Sequence, residues 1–170
     1  MIRSLIFLPL FSLIFGMRVC ADDASRLKEY FSYFEGTWQI TELNGSETGS
    51  ITIKRGEGDT CHVLDYRFGD DRRTELWGYD PTTKHWMAIG FNQNGERFSQ
   101  VMIDVPERAT AEAGDRFWDK HQGVLPTGEK TSAHLDFYIE SQDAYTVKVT
   151  NITVGESKLE GASFRISRQR

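Results

Sequence analysis

From Gly36 onward the chain is cut by turn signals at short, regular intervals, and that rhythm leaves few folds open. Asn44-Gly45, Gly56-Glu57-Gly58-Asp59, Gly69-Asp70-Asp71, Asp80-Pro81 and Asn92-Gln93-Asn94-Gly95 separate segments rich in Thr, Ile, Val, Tyr, Phe and Trp. Gly and Asn reach the backbone conformations that tight turns need, whereas β-branched and aromatic side chains suit a pleated, half-buried surface. Short strands with turns about ten residues apart predict a sandwich or a barrel. Strands are expected near 36–43, 47–55, 61–68, 72–79, 84–91 and 96–104, and again near 131–140, 144–153 and 159–168. The expected fold is all-β, an antiparallel meander barrel of about nine or ten strands.

Two stretches break the rhythm. Ala24 to Phe34 contains no Gly or Pro, and Leu27, Tyr30, Phe31 and Phe34 recur at spacings of three and four. That spacing places them on one face of a short N-terminal helix. Residues 105–130 are interrupted by Pro106, Gly114, Gly123, Pro126 and Gly128. There Phe117-Trp118 fits either one more short strand or a pair packed under a long loop.

Ahead of the helix, the first 21 residues have the three parts of a signal peptide. Arg3 gives the positive start, Leu5 to Phe15 the apolar run, and Val19-Cys20-Ala21 the small-residue cleavage site. A permanent span needs about 20 apolar residues, and Arg18 interrupts the run too early for one. Acylation of Cys20 is disfavoured because Met17-Arg18-Val19 lacks the small residues that lipoprotein processing prefers. The expectation is therefore a leader over 1–21, cleavage near Ala21, and a single barrel domain over 22–170, periplasmic or secreted. A stably inserted membrane protein is not expected.

Charge narrows the partners. The 170 residues carry a net charge of −5, and losing Arg3 and Arg18 with the leader takes it to −7. An acidic chain with no basic run does not attract phosphate backbones, so nucleic acid is not an expected partner. After cleavage Cys61 is the one remaining cysteine, so no internal disulfide is expected. His62, His85, His121 and His134 are scattered, with no pair at metal-ligand spacing within one element, and no metal or cofactor is expected. The motifs of nucleophile elbows, zinc proteases, phosphate loops and Cys-x-x-Cys redox sites are absent. Asn44-Gly45-Ser46 and Asn151-Ile152-Thr153 fit the glycosylation pattern, which matters only in a eukaryotic secretory path.

The first strand opens Phe34-Glu35-Gly36-Thr37-Trp38. Gly-x-Trp after a short helix and before an antiparallel meander resembles the calycin superfamily, which includes the lipocalins and fatty-acid-binding proteins. The resemblance implies that Trp38 closes one barrel end and that a basic residue of the last strand, Arg165 or Arg168, packs across it. Gly36-Thr37-Trp38, Trp77-Gly78-Tyr79-Asp80-Pro81, Trp86, Gly90-Phe91 and Asn151-Ile152-Thr153-Val154-Gly155 together look like an exported bacterial family known only as a domain of unknown function. The haem-binding nitrobindins continue the motif as Gly-x-Trp-x-Gly-x-Gly. Here Gln39-Ile40-Thr41 follows Trp38, so haem chemistry is not carried over.

The stretch 61–91 is the richest in candidate site residues. A four-residue turn over Gly69 to Arg72 would set Tyr66 opposite Glu75, Leu64 opposite Trp77 and His62 opposite Tyr79. A second, over Asp80 to Thr83, would set Trp77 opposite Trp86. Directly opposed residues share a face. His62, Tyr66, Glu75, Trp77, Tyr79 and Trp86 then line one aromatic face with a few polar handles, as small-molecule pockets are lined. The expected function is binding of a small, partly apolar molecule, with Trp77→Ala or Trp86→Ala weakening binding more than stability. One alternative is an enzyme using Glu75 as acid or base in the same cavity. Another is a protein-interaction module whose barrel is filled.

Overall fold

The computed structural model describes residues 23–57 and 60–170; the leader and its cleavage site at Ala21 lie outside the described residues. Helix α1 spans 23–31 and tightens into a single 3-10 turn over Ser32–Phe34. Eleven strands follow: β1 Gly36–Glu42, β2 Thr48–Arg55, β3 Cys61–Phe68, β4 Asp71–Asp80, β5 His85–Asn92, β6 Arg97–Ile103, β7 Arg116–Val124, β8 Lys130–Ser141, β9 Ala144–Val154, β10 Ser157–Lys158 and β11 Ala162–Arg168. Among the described residues no helix is long and apolar enough to cross a membrane.

The strands pair antiparallel in chain order from β1 to β8. β8 pairs with β9, β9 with β11, and β11 with β1, which closes the sheet. The result is a closed ten-strand antiparallel meander barrel, with the two-residue β10 folded back on β9. Closure pairs each of the ten barrel strands on both sides, which leaves β10 as the one edge among the described residues. Alternation sends one face of every strand inward, as in β5, where Trp86, Ala88 and Gly90 are buried and Ile89 and Phe91 face out.

The helix plugs one end. Its predicted apolar face, Leu27, Tyr30, Phe31 and Phe34, is fully buried. Phe31 stacks on Trp86 at 5.0 Å, and Phe34 meets Tyr145 edge-on at 5.1 Å. The loop between β6 and β7 straps the helix down, with Arg26 donating to the Pro106 carbonyl and the Tyr30 hydroxyl to Asp115 Oδ2. Trp38 donates its indole N–H to the Phe34 carbonyl at 2.7 Å. Of the two basic residues considered for the last strand, Arg168 lies across Trp38, its guanidinium carbon 4.1 Å from the ring centroid, and donates to the Glu35 and Tyr33 carbonyls. Arg165 faces outward and pairs with Glu140.

Two details differ from the sequence expectation. The β3–β4 turn holds two residues, Gly69 and Asp70, because Gly69 takes a left-handed conformation at φ 53°. The β4–β5 turn runs over 81–84, fixed by the Asp80 carboxylate, which accepts from the Thr82 amide and the Thr83 hydroxyl. Tyr66 therefore pairs with Arg73, Leu64 with Glu75, His62 with Trp77, and Tyr79 with Trp86. Each register is displaced by two residues, and an even displacement keeps every side chain on its expected face. The second difference lies within 105–130, which contains a full nine-residue strand, β7. Its inward residues are Phe117, Asp119, His121 and Gly123, so the apolar alternation that marks a half-buried strand is missing.

Candidate functional site

Above the plug the barrel is hollow, with a cavity of about 480 Å³. This lies within the range of small-molecule pockets, about 300–1,000 Å³. The two sides of the cavity differ in chemistry. Strands β1, β2, β9 and β11 contribute Ile40, Ile51, Val147, Val149, Phe164 and Ile166. Strands β3, β4, β6 and β7 contribute Tyr66, Arg73, Glu75, Gln100, Asp119 and His121.

Glu75 is 5 % exposed, and its Oε2 accepts the Trp77 indole N–H at 2.7 Å. It pairs across the ladder with Gly90. A Cβ at Gly90 would lie 3.1 Å from Glu75 Cγ and 2.6 Å from Phe98 Cζ, so this glycine makes room for the carboxylate arm and the ring beside it. Burial holds the Glu75 carboxyl above its ordinary range, against the opposing pull of the Arg73 charge and the Trp77 hydrogen bond. Arg73 is already engaged: its Nη2 lies 2.5 Å from Asp71 Oδ2, and its guanidinium covers the Tyr66 ring at 4.3 Å. Burial pushes the Tyr66 hydroxyl up to about 12.

Asp119 is the anomaly. It is 1 % exposed, and its Oδ1 is buried without a hydrogen-bond partner. Burial, reinforced by the Glu75 charge and only partly offset by Arg73, raises its carboxyl well above the usual aspartate range. Native proteins pair nearly all buried polar groups, so an orphaned carboxyl oxygen facing a cavity calls for a cause.

His121 sits beside this pair. Its ring lies against Phe98 at 5.0 Å, Gln100 Nε2 is 3.5 Å from its Nδ1, and Glu96 Oε1 is 3.4 Å from its Nε2. A Gln100 amide donating to Nδ1 would leave the ring proton on Nε2, facing Glu96. Burial lowers the His121 pKa, although Glu96 opposes the shift, so the ring favours its neutral form. Among the described residues no three His, Cys, Asp or Glu side chains group to hold a metal ion.

The sequence-derived candidates divide between two places. Tyr66, Glu75 and Trp77 line the cavity. His62, Tyr79 and Trp86 face inward but lie at the plugged end, outside the cavity lining. There His62 Nε2 is 3.0 Å from Glu35 Oε1, and its ring tilts against Trp86 at 5.7 Å. Trp77 belongs to both regions, since it also meets Phe31 and Phe34 edge-on. Asp119, His121, Gln100 and Arg73 were not among the candidates. Arg73 shares the parity of Glu75 and could have been found by extending the alternation one step. Asp119 and His121 alternate with Phe117, but two polar residues on the inner face hide the strand that carries them.

No model of a known protein family matches the chain. No curated protein matches it either.

Proposed function

We propose that the protein is an exported, calycin-like barrel that binds a small, partly apolar molecule in its cavity. The apolar body of the ligand lies against Ile40, Ile51, Ile166 and the β9 valines, and its polar end meets Glu75 and Asp119. The leader pattern supports export, and the Trp38–Arg168 packing supports the calycin likeness. The observation that carries the binding role is the buried, unpartnered Asp119 Oδ1 in a largely apolar cavity. Burying such a group unpaired costs about 1–3 kcal/mol, and a ligand that pairs with it removes that cost.

Native mass spectrometry of the protein from its own host tests this. The expected result is a reproducible excess mass that is lost on denaturation and absent from Asp119→Leu. A bare polypeptide mass, together with no thermal stabilisation by a panel of small amphiphiles, would overturn it.

A second reading, catalysis with Glu75 as acid or base, draws on the raised pKa of a buried carboxyl in the same cavity. It requires Glu75→Gln to abolish turnover while the fold and ligand affinity survive.

A further inference from the structure

We propose that the ligand is a cation, an amine carrying an apolar body, whose ammonium group sits between Glu75 and Asp119. This rests on the cavity being a binding site, and it adds the charge of what is bound.

The inventory of charge around the two carboxyls points one way. From β4, Arg73 faces them, but its positive charge is matched by Asp71 on the same strand. From β3 comes Tyr66, whose ring face is covered by Arg73. From β7 comes His121, which burial pushes toward its neutral form and which faces Glu96 at 3.4 Å, and from β6 the uncharged Gln100. Asp119 pairs across its ladders with Met102 and Leu135, which bring no charge, and Glu75 with Leu64 and Gly90. Glu96 also lines the cavity but is taken up by His121 and the Thr131 hydroxyl, and the one buried guanidinium, Arg73, is shared between Asp71 and the two carboxyls, so Glu75 and Asp119 outnumber the positive charge beside them.

Each class of ligand meets this wall differently. An anion brings negative charge up against two buried carboxyls, where the nearby guanidinium is already held by Asp71. A neutral hydroxyl or amide can give Asp119 a hydrogen bond but brings no charge to offset the burial that disfavours ionisation of the two carboxyls. An ammonium group satisfies the orphaned Asp119 oxygen and supplies the missing counter-charge in a low-dielectric site, where such pairing is strongest. Trp77 and Tyr145 also line the cavity, and ring faces attract cations.

The test is isothermal titration of the mature protein with three matched probes: phenylbutylamine, phenylbutanol and phenylbutyrate. The amine is expected to bind about tenfold or more tighter than either counterpart. Asp119→Asn and Glu75→Gln, which keep the side-chain shape, are each expected to weaken the amine about tenfold while moving the alcohol by less than about threefold. Amine affinity is expected to fall as the pH is lowered and the carboxyls take up protons. Tighter binding of the alcohol or the carboxylate would overturn the cation assignment while leaving the binding site intact. Failure of all three probes to bind or to stabilise the protein would overturn both.

Discussion

The two halves of the barrel are built from the same strands and do opposite things with their inner faces. At the plugged end, β5, β7 and β8 contribute Trp86, Phe117 and Phe137, and the helix fills the space between them. Phe117 stacks on Phe137 at 4.6 Å, and Phe31 on Trp86 at 5.0 Å. Further along, β4, β6 and β7 turn Glu75, Gln100, Asp119 and His121 inward, and none of the described residues fills the gap. One half gains stability from burying rings, while the other keeps charged and polar groups buried at a cost. The contrast shows that inward direction alone does not separate core from site. What separates them is whether the chain fills the space that the inward side chains face.

The largest expected effect lies at the plug. Trp86→Ala removes the ring stacked on Phe31 and should cost about 3–5 kcal/mol in urea unfolding. Probe affinity of the folded fraction should be little changed, which reverses the order of effects expected for this residue from sequence alone. Trp86→Phe keeps the stacking ring and removes an indole N–H that has no partner, so it should cost less than about 1.5 kcal/mol. Equal loss of affinity and stability in Trp86→Ala would erase the division between the halves.

Next in size is the pair of arginines on β11. Arg168→Ala removes two hydrogen bonds to carbonyls of the helix–strand junction and the contact over Trp38, and should cost about 1–3 kcal/mol. Arg165→Ala removes an exposed ion pair with Glu140 and should cost less than about 1 kcal/mol. Thermal denaturation of the two variants side by side separates them, and equal shifts would contradict the assignment of Arg168 as the closing residue.

A smaller effect appears in the pH dependence of the ligand-free protein. The Asp119 carboxyl titrates higher in the folded chain than its ordinary 3.8, so the folded state holds the extra proton above that pH. Its contribution is full below the ordinary value and is lost as pH rises through the folded pKa. Glu75 has the same sign, while His121, shifted down, contributes in the opposite direction below its ordinary 6.5. Comparing wild type with Asp119→Asn isolates the Asp119 part. The wild type should lose stability relative to the variant as pH rises above about 4, read from urea midpoints. A flat or rising difference would mean that Asp119 is not buried as a proton-holding group.

The sequence was most legible where local chemistry decides structure. The spacing of Leu27, Tyr30, Phe31 and Phe34 marks the helix, and the Gly and Asn clusters mark most of the turns. Face membership in 61–91 was legible despite the misplaced turns, because alternation survives an even displacement. Register was not, because it depends on Gly69 adopting a left-handed backbone and on Asp80 capping the turn beyond it. The candidate site was half legible. Tyr66, Glu75 and Trp77 lie on strands with a clear aromatic pattern. Asp119 and His121 lie on β7, where the polar inner face that makes the site also removes the periodicity that would reveal the strand. His62, Tyr79 and Trp86 share a face with the cavity residues, but their depth along the barrel depends on where the helix docks.

A binding role for Asp119 requires that it be buried for something other than the fold. Urea unfolding of ligand-free Asp119→Leu beside wild type at neutral pH tests it most directly. Removing a buried, unpaired carboxyl should raise stability by about 1–3 kcal/mol. A loss of stability of similar size would show that the carboxylate holds the barrel together and would contradict the account.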